Sequence, residues 1–137
     1  MPLNALKKLL SDLNAAGTTV KVALCTSSYT PDQDAHDSYS DLTNEVANGN
    51  GYTTGGATLA NKAVTQSAKV TKFDADDVSW SNSTITARYA VIYDATPAAA
   101  ADKKLLAYVD FGADQSSSSG TFQITWNASG IFTVTVA

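Results

Sequence analysis

The chain has 137 residues, of which 44% are hydrophobic and only 16% charged, with a formal net charge of -4. That length accommodates one domain with a core of its own, and the apolar fraction excludes a disordered chain. The nine Lys and Arg form no basic stripe, which argues against a nucleic-acid partner, and a single cysteine, Cys25, excludes an internal disulfide.

Residues 3–16 read as the one helix. Leu3, Leu6, Leu10 and Leu13 recur at three- and four-residue spacing, with Leu9 widening the stripe and Lys7, Lys8, Asp12 and Asn14 largely opposite. Pro2 suits its start and Gly17 its stop. So short a helix is marginal alone, so the stripe must pack, either on the domain's own sheet or on a neighbouring subunit. The first residues, Met1-Pro2-Leu3-Asn4, do not read as a secretory signal, and no run approaches the roughly 20 apolar residues of a membrane span. No membrane partner is expected.

Residues 18–26 form the first strand, with Cys25 as a small hydrophobe within it. A long irregular stretch over 27–56 follows, rich in Asp, Asn, Gly, Ser and Tyr, with one helical turn near Ser38-Tyr39-Ser40-Asp41. Residues 57–71 read as one irregular or bulged strand, and Phe73-Asp74-Ala75-Asp76-Asp77 as a turn into Val78-Ser79-Trp80. Ser81-Asn82 makes a tight connection into a strand over 83–94, where Tyr89, Val91 and Tyr93 share a face. A loop or helical turn over 96–102 precedes a strand over 103–111. The stretch 112–120, with four serines in a row, reads as a flexible hairpin loop, and strands over 121–126 and 130–136 close the chain. About seven or eight strands with regularly spaced turns predict a mainly β fold, an antiparallel β-sandwich. Residues 1–17 would hold the helix and 18–137 the single β domain, with 27–56 as its long loop.

Chemistry is sparse. Asp32-Gln33-Asp34-Ala35-His36-Asp37 alternates carboxylates, but lacks the third ligand, turn glycine and distal Glu of a calcium loop, so solvated Asx turns are the simpler reading. Asp74-Ala75-Asp76-Asp77 reads the same way. Gly49-Asn50-Gly51-Tyr52-Thr53-Thr54-Gly55-Gly56 has no Gly-Lys-Ser/Thr ending and leads into no helix, so it is a turn device rather than a phosphate cradle. There is no Gly-x-Ser-x-Gly elbow, and Glu45 is the only Glu, which leaves paired-carboxylate hydrolysis without a good pair. No enzyme activity, metal or cofactor is expected. Tyr29, Tyr39 and Tyr52 fall in the irregular stretch, either as an interaction surface or as pins holding that stretch to the domain.

Several segments together resemble a family of small structural proteins of tailed bacteriophages and prophages, notably those of actinobacteria. They are Val20-Lys21-Val22-Ala23-Leu24, Tyr29-Thr30-Pro31-Asp32-Gln33-Asp34-Ala35-His36-Asp37, Gly51-Tyr52-Thr53-Thr54-Gly55-Gly56-Ala57-Thr58-Leu59, Phe73-Asp74-Ala75-Asp76-Asp77-Val78-Ser79-Trp80, Thr86-Ala87-Arg88-Tyr89-Ala90-Val91-Ile92-Tyr93 and Leu105-Leu106-Ala107-Tyr108-Val109-Asp110-Phe111-Gly112. The resemblance implies a virion component, made in the host cytoplasm and assembled on the particle. The first expectation is a capsid decoration (minor capsid or cement) protein bound to the major capsid protein on the outside of the head. The alternative is a tail, neck or head-fibre component that contacts the host. A homo-oligomer is expected, with a trimer favoured by the threefold positions of a shell. The candidate contact residues, chosen for expected exposure, are Leu3, Leu6, Leu10, Leu13, Tyr29, Pro31, His36, Tyr39 and Tyr52.

Overall fold

A computed structural model describes residues 10–135. Strands and isolated bridges hold 47% of the described residues, and the strands pair antiparallel throughout, so the fold is mainly β as the alternation predicts. Nine strands are present among the described residues: β1 Val20–Cys25, β2 Ala57–Thr58, β3 Ala63–Ser67, β4 Val70–Asp74, β5 Val78–Ser83, β6 Thr86–Asp94, β7 Leu105–Ser116, β8 Gly120–Ile124 and β9 Phe132–Thr135. They form a four-stranded sheet in the order β2-β1-β6-β7, a three-stranded sheet β3-β4-β9 and a two-stranded sheet β5-β8.

The main core joins one face of the four-stranded sheet to the other two. Val20, Val22 and Leu24 of β1 and Ala87, Ala90 and Ile92 of β6 meet Phe73 of β4, Val78 and Trp80 of β5, and Phe122 and Ile124 of β8. Burying each large side chain here contributes about 1.5–3 kcal/mol. The opposite face of the same sheet is also covered. Cys25 and Val91 lie under Tyr29, with Leu42, Tyr89 and Leu105 packed around them. The first part of the long stretch, from Tyr29 to Leu42, is therefore a lid on the second face, which is why β1 reads as an apolar run rather than a clean alternation. Val46 and Tyr52, further along, pack into the main core.

Several expectations change. The helix expected over 3–16 is seen, among the described residues, only at 10–13, and turns occupy 14–17. Its stop comes early because Asn14 N–H and Ala15 N–H reach back only three residues, to Ser11 and Asp12 carbonyls. Lys62 Nζ donates to Leu13 and Thr18 carbonyls and so closes this end. The single strand expected over 57–71 is three strands. Leu59 dips into the core, and a two-residue turn at Ala68 and Lys69 folds β3 back on β4 with Ser67 opposite Val70. The connection placed at Ser81-Asn82 is an irregularity inside β5, with Asn82 at φ 50, and the chain turns at 84–85 instead.

The serine-rich hairpin is not a hairpin. β7 runs on to Ser116 and pairs with β6, whereas β8 pairs with β5, so 117–119 crosses between sheets. The serines are spent on that crossing. Ser117 Oγ accepts from Ile85 N–H at 3.1 Å and shares a 2.8 Å bond with the buried Ser83 Oγ. Ser83 Oγ is also within bonding distance of Trp80 and Gly120 carbonyls, at 2.9 and 3.1 Å.

Candidate functional site

Two structures are built on the lid, one internal and one open. The internal one centres on Glu45, which faces Cys25 across an isolated bridge. Tyr39 Oη donates to Glu45 Oε2 at 2.6 Å, while Tyr52 Oη and Gly55 N–H donate to Oε1 at 2.7 Å each. Tyr52 Oη in turn accepts from Leu24 N–H at 3.0 Å, and Tyr93 Oη donates to the Gly55 carbonyl at 2.6 Å. The Tyr39 ring stacks on Tyr93 with centroids 4.8 Å apart. Gly56 completes the approach: a Cβ there would lie 1.8 Å from the Val22 carbonyl oxygen, and its φ of +83 suits glycine. This is a clasp that ties residues 39–56 to β1 and β6.

Burial sets the chemistry of the clasp. It pushes the Cys25 thiol up to about 12, with the Glu45 charge adding to the effect, so the thiol stays protonated and inert at neutral pH. The Tyr93 hydroxyl rises to about 12 for the same two reasons. Desolvation followed by the bond to Glu45 holds the Tyr39 and Tyr52 protons more tightly still.

The open structure is a groove of about 610 Å³ between the start of the lid and the first half of β7. Its floor is Val91, Leu105, Leu106 and Ala107, and its rim is Pro31, Asp32, Gln33 and His36 facing Tyr108. Tyr29 and His36 stack with centroids 5.6 Å apart and share a 3.0 Å bond between Tyr29 Oη and His36 Nδ1. Tyr89 packs edge-on to both Tyr29 and Tyr108, which makes a continuous aromatic wall. Tyr108 is 40% exposed, one of two large hydrophobic side chains left so open among the described residues. A groove with an apolar floor and a polar rim can hold a partner's side chain or a small polar ring.

Of the residues singled out from the sequence, Tyr29, Pro31 and His36 come together in this groove, with the Tyr29 ring buried in its wall. Tyr39 and Tyr52 do not join them. They belong to the clasp, and Tyr52 is only 2% exposed, so its ring is a pin rather than a contact surface. Leu10 is buried and Leu13 packs on the main core, so both face the domain itself. Leu3 and Leu6 lie outside the described residues. Tyr108 and the floor residues of β7 escaped the sequence reading, because Leu105-Leu106-Ala107-Tyr108-Val109 is apolar at both parities and names no wet face.

The first acidic cluster is spent on a turn, and the second ties Trp126 to the start of β5. Asp32 Oδ1 accepts from Asp34 and Ala35 N–H at 2.9 and 3.0 Å, an Asx turn. Asp77 Oδ1 accepts from Trp126 N–H at 2.9 Å, and the Asp76 carbonyl accepts from Trp126 Nε1–H at 3.0 Å. Among the described residues no group of three or more His, Cys, Asp or Glu is placed to hold a metal ion, and no helix is long and apolar enough to cross a membrane. Comparison with protein-family models, with curated proteins and with solved structures returns no match.

Proposed function

We propose that this chain is a non-catalytic virion protein of a tailed phage, a capsid decoration (minor capsid or cement) protein built as a β-sandwich that binds the outside of the head. The observation that carries the binding role is the groove beside Tyr108. It joins an apolar floor to a mixed polar rim, and its exposed aromatic ring is of the type enriched where protein surfaces meet. The virion setting rests on the set of resembling segments, two of which supply its walls: Tyr29 to Asp37 and Leu105 to Gly112. The reading also draws on what acid–base groups are doing. Glu45 is engaged by three donors, and the Cys25 thiol is buried beneath the lid.

The test is co-sedimentation of the purified protein with phage heads stripped of accessory proteins. Saturable binding at a fixed ratio to the major capsid protein, weakened by Tyr108→Ala, is the expected result. Absence of binding to heads would overturn the decoration role. One observation favours the second reading, a tail, neck or head-fibre component that contacts the host. An open aromatic ring beside a carboxylate, an amide and an imidazole suits a polar ring such as a cell-surface glycan. Binding to host envelopes with none to heads would select it.

A further inference from the structure

A second groove, of about 580 Å³, lies on the other side of β7. Residues 121–127 line it without a break, from Thr121 to Asn127. Alternate side chains of a strand point to opposite faces, so the unbroken part of this run that lies in β8, Thr121 to Ile124, means that the groove looks at the edge of the main chain there. That edge is open: among the described residues β8 pairs on one side only, with β5. The facing wall is Val109 and Phe111 of β7, whose Phe111 ring sits 6.3 Å from Phe122. No charged side chain lines the groove.

We infer that β8 is a self-pairing edge, and that a second copy of this chain adds its own β8 antiparallel to it, giving a continuous sheet β5-β8-β8-β5. A two-stranded sheet is marginal by itself, and the added pair would make it four-stranded. The choice of occupant follows from charge. Pairing about a twofold axis at Phe122 sets Thr121 of one copy opposite Gln123 of the other, both uncharged and exposed. The other edge on this groove, β7, would, if paired about Gly112, set Asp110 opposite Asp114, and Asp110 is already held by Arg88 at 2.5 Å. β7 is guarded a second way. Three extra residues interrupt its ladder between Asp110 and Gln115, where β6 advances only from Tyr89 to Ala87. Strand β8 between Gly120 and Ile124 carries no charge or proline. The self-associating unit is then a dimer rather than the trimer expected from shell symmetry. This inference does not rest on the virion reading; a dimer that ignores phage heads would overturn that reading alone.

The test is sedimentation velocity over a dilution series, on the wild-type chain and two double variants. Thr121→Asp with Gln123→Asp places like charges opposite each other twice and is expected to weaken dimerisation about tenfold or more. Thr121→Lys with Gln123→Asp places opposite charges in the same positions and is expected to restore it. Both side chains are exposed, so each variant should keep the wild-type far-UV spectrum. Amide exchange should also show protection along residues 121–125 that grows with concentration. A chain that stays monomeric, a trimer, or a dimer indifferent to both variants would overturn the assignment.

Discussion

Replacing Glu45 tests whether the lid is held by the clasp or merely lies on the sheet. Glu45→Ala removes the acceptor for Tyr39 Oη, Tyr52 Oη and Gly55 N–H at once. Bonds to a charged acceptor are worth about 1.5–3 kcal/mol each on truncation. Their sum is an upper bound, because Glu45 is only partly buried, water can enter, and members of one network do not add. The expected loss is therefore about 3–5 kcal/mol, a large share of the roughly 5–15 kcal/mol of a typical domain. Glu45→Gln keeps an acceptor for the Oε1 pair but loses the charge and turns an amide toward Tyr39, and should cost about 1–2 kcal/mol. Urea unfolding would read both values, and amide exchange would show whether Gly55 and Leu24 open first. An alanine variant within about 1 kcal/mol of wild type, with unchanged exchange at those two amides, would refute the clasp.

Gly56→Ala drives a Cβ into the Val22 carbonyl, whereas Gly112→Ala, at a similar φ of +82, meets nothing within 4 Å; the first should fail to fold or melt far lower, and the second should lose about 1 kcal/mol. Equal losses in thermal melts would show that backbone strain, not the close approach, dominates. Cys25 should ignore a thiol reagent in the folded protein at neutral pH and react at once in denaturant, because its thiol is buried and pushed up to about 12. Stability should fall in alkali: the Tyr93 proton is held to about 12 in the folded chain but leaves near 10 in the unfolded one, so its contribution is complete below about pH 10 and is lost as pH rises through 12. Tyr39 and Tyr52 act in the same direction, so a urea midpoint that does not drop between about pH 9 and pH 11 would contradict the clasp's electrostatics.

What the sequence revealed tracks how local each signal is. The strand at 20–25, the helical turn at Tyr39, and the Asx turn at Asp32 depend on neighbours a few residues away, and each was legible. The β3–β4 hairpin was not, because Ala68, at φ 52, and Lys69 carry none of the Asn-Gly or Gly signature that normally marks so tight a turn. The serine run read as a free loop because nothing in it reveals that Ser117 pairs with Ser83, 34 positions earlier. The open groove was half legible. Tyr29, Pro31 and His36 stood out in an irregular, aromatic stretch, but their partner Tyr108 lies on a strand whose alternation is blurred. Exposure is the weak premise: an aromatic residue in an irregular stretch reads equally as a surface residue or as a pin, and here Tyr29 and Tyr52 point inward.

That inversion says where contact can occur. With one face of the β1–β6 pair against the core and the other under the lid, the four-stranded sheet has no free face at its centre to offer a partner. Its margins remain, and of the two edge strands, β2 and β7, it is β7 that borders both grooves. Its first half, Leu105 to Tyr108, makes one wall of the aromatic groove, while Val109, Phe111, Gln115 and Ser116 wall the groove along β8. The two grooves share a strand but no lining residue. A paired molecule would then present two aromatic grooves related by its twofold axis. On a repeating surface, two such contacts engage together, and individually modest affinities become strong attachment without a larger interface on either copy.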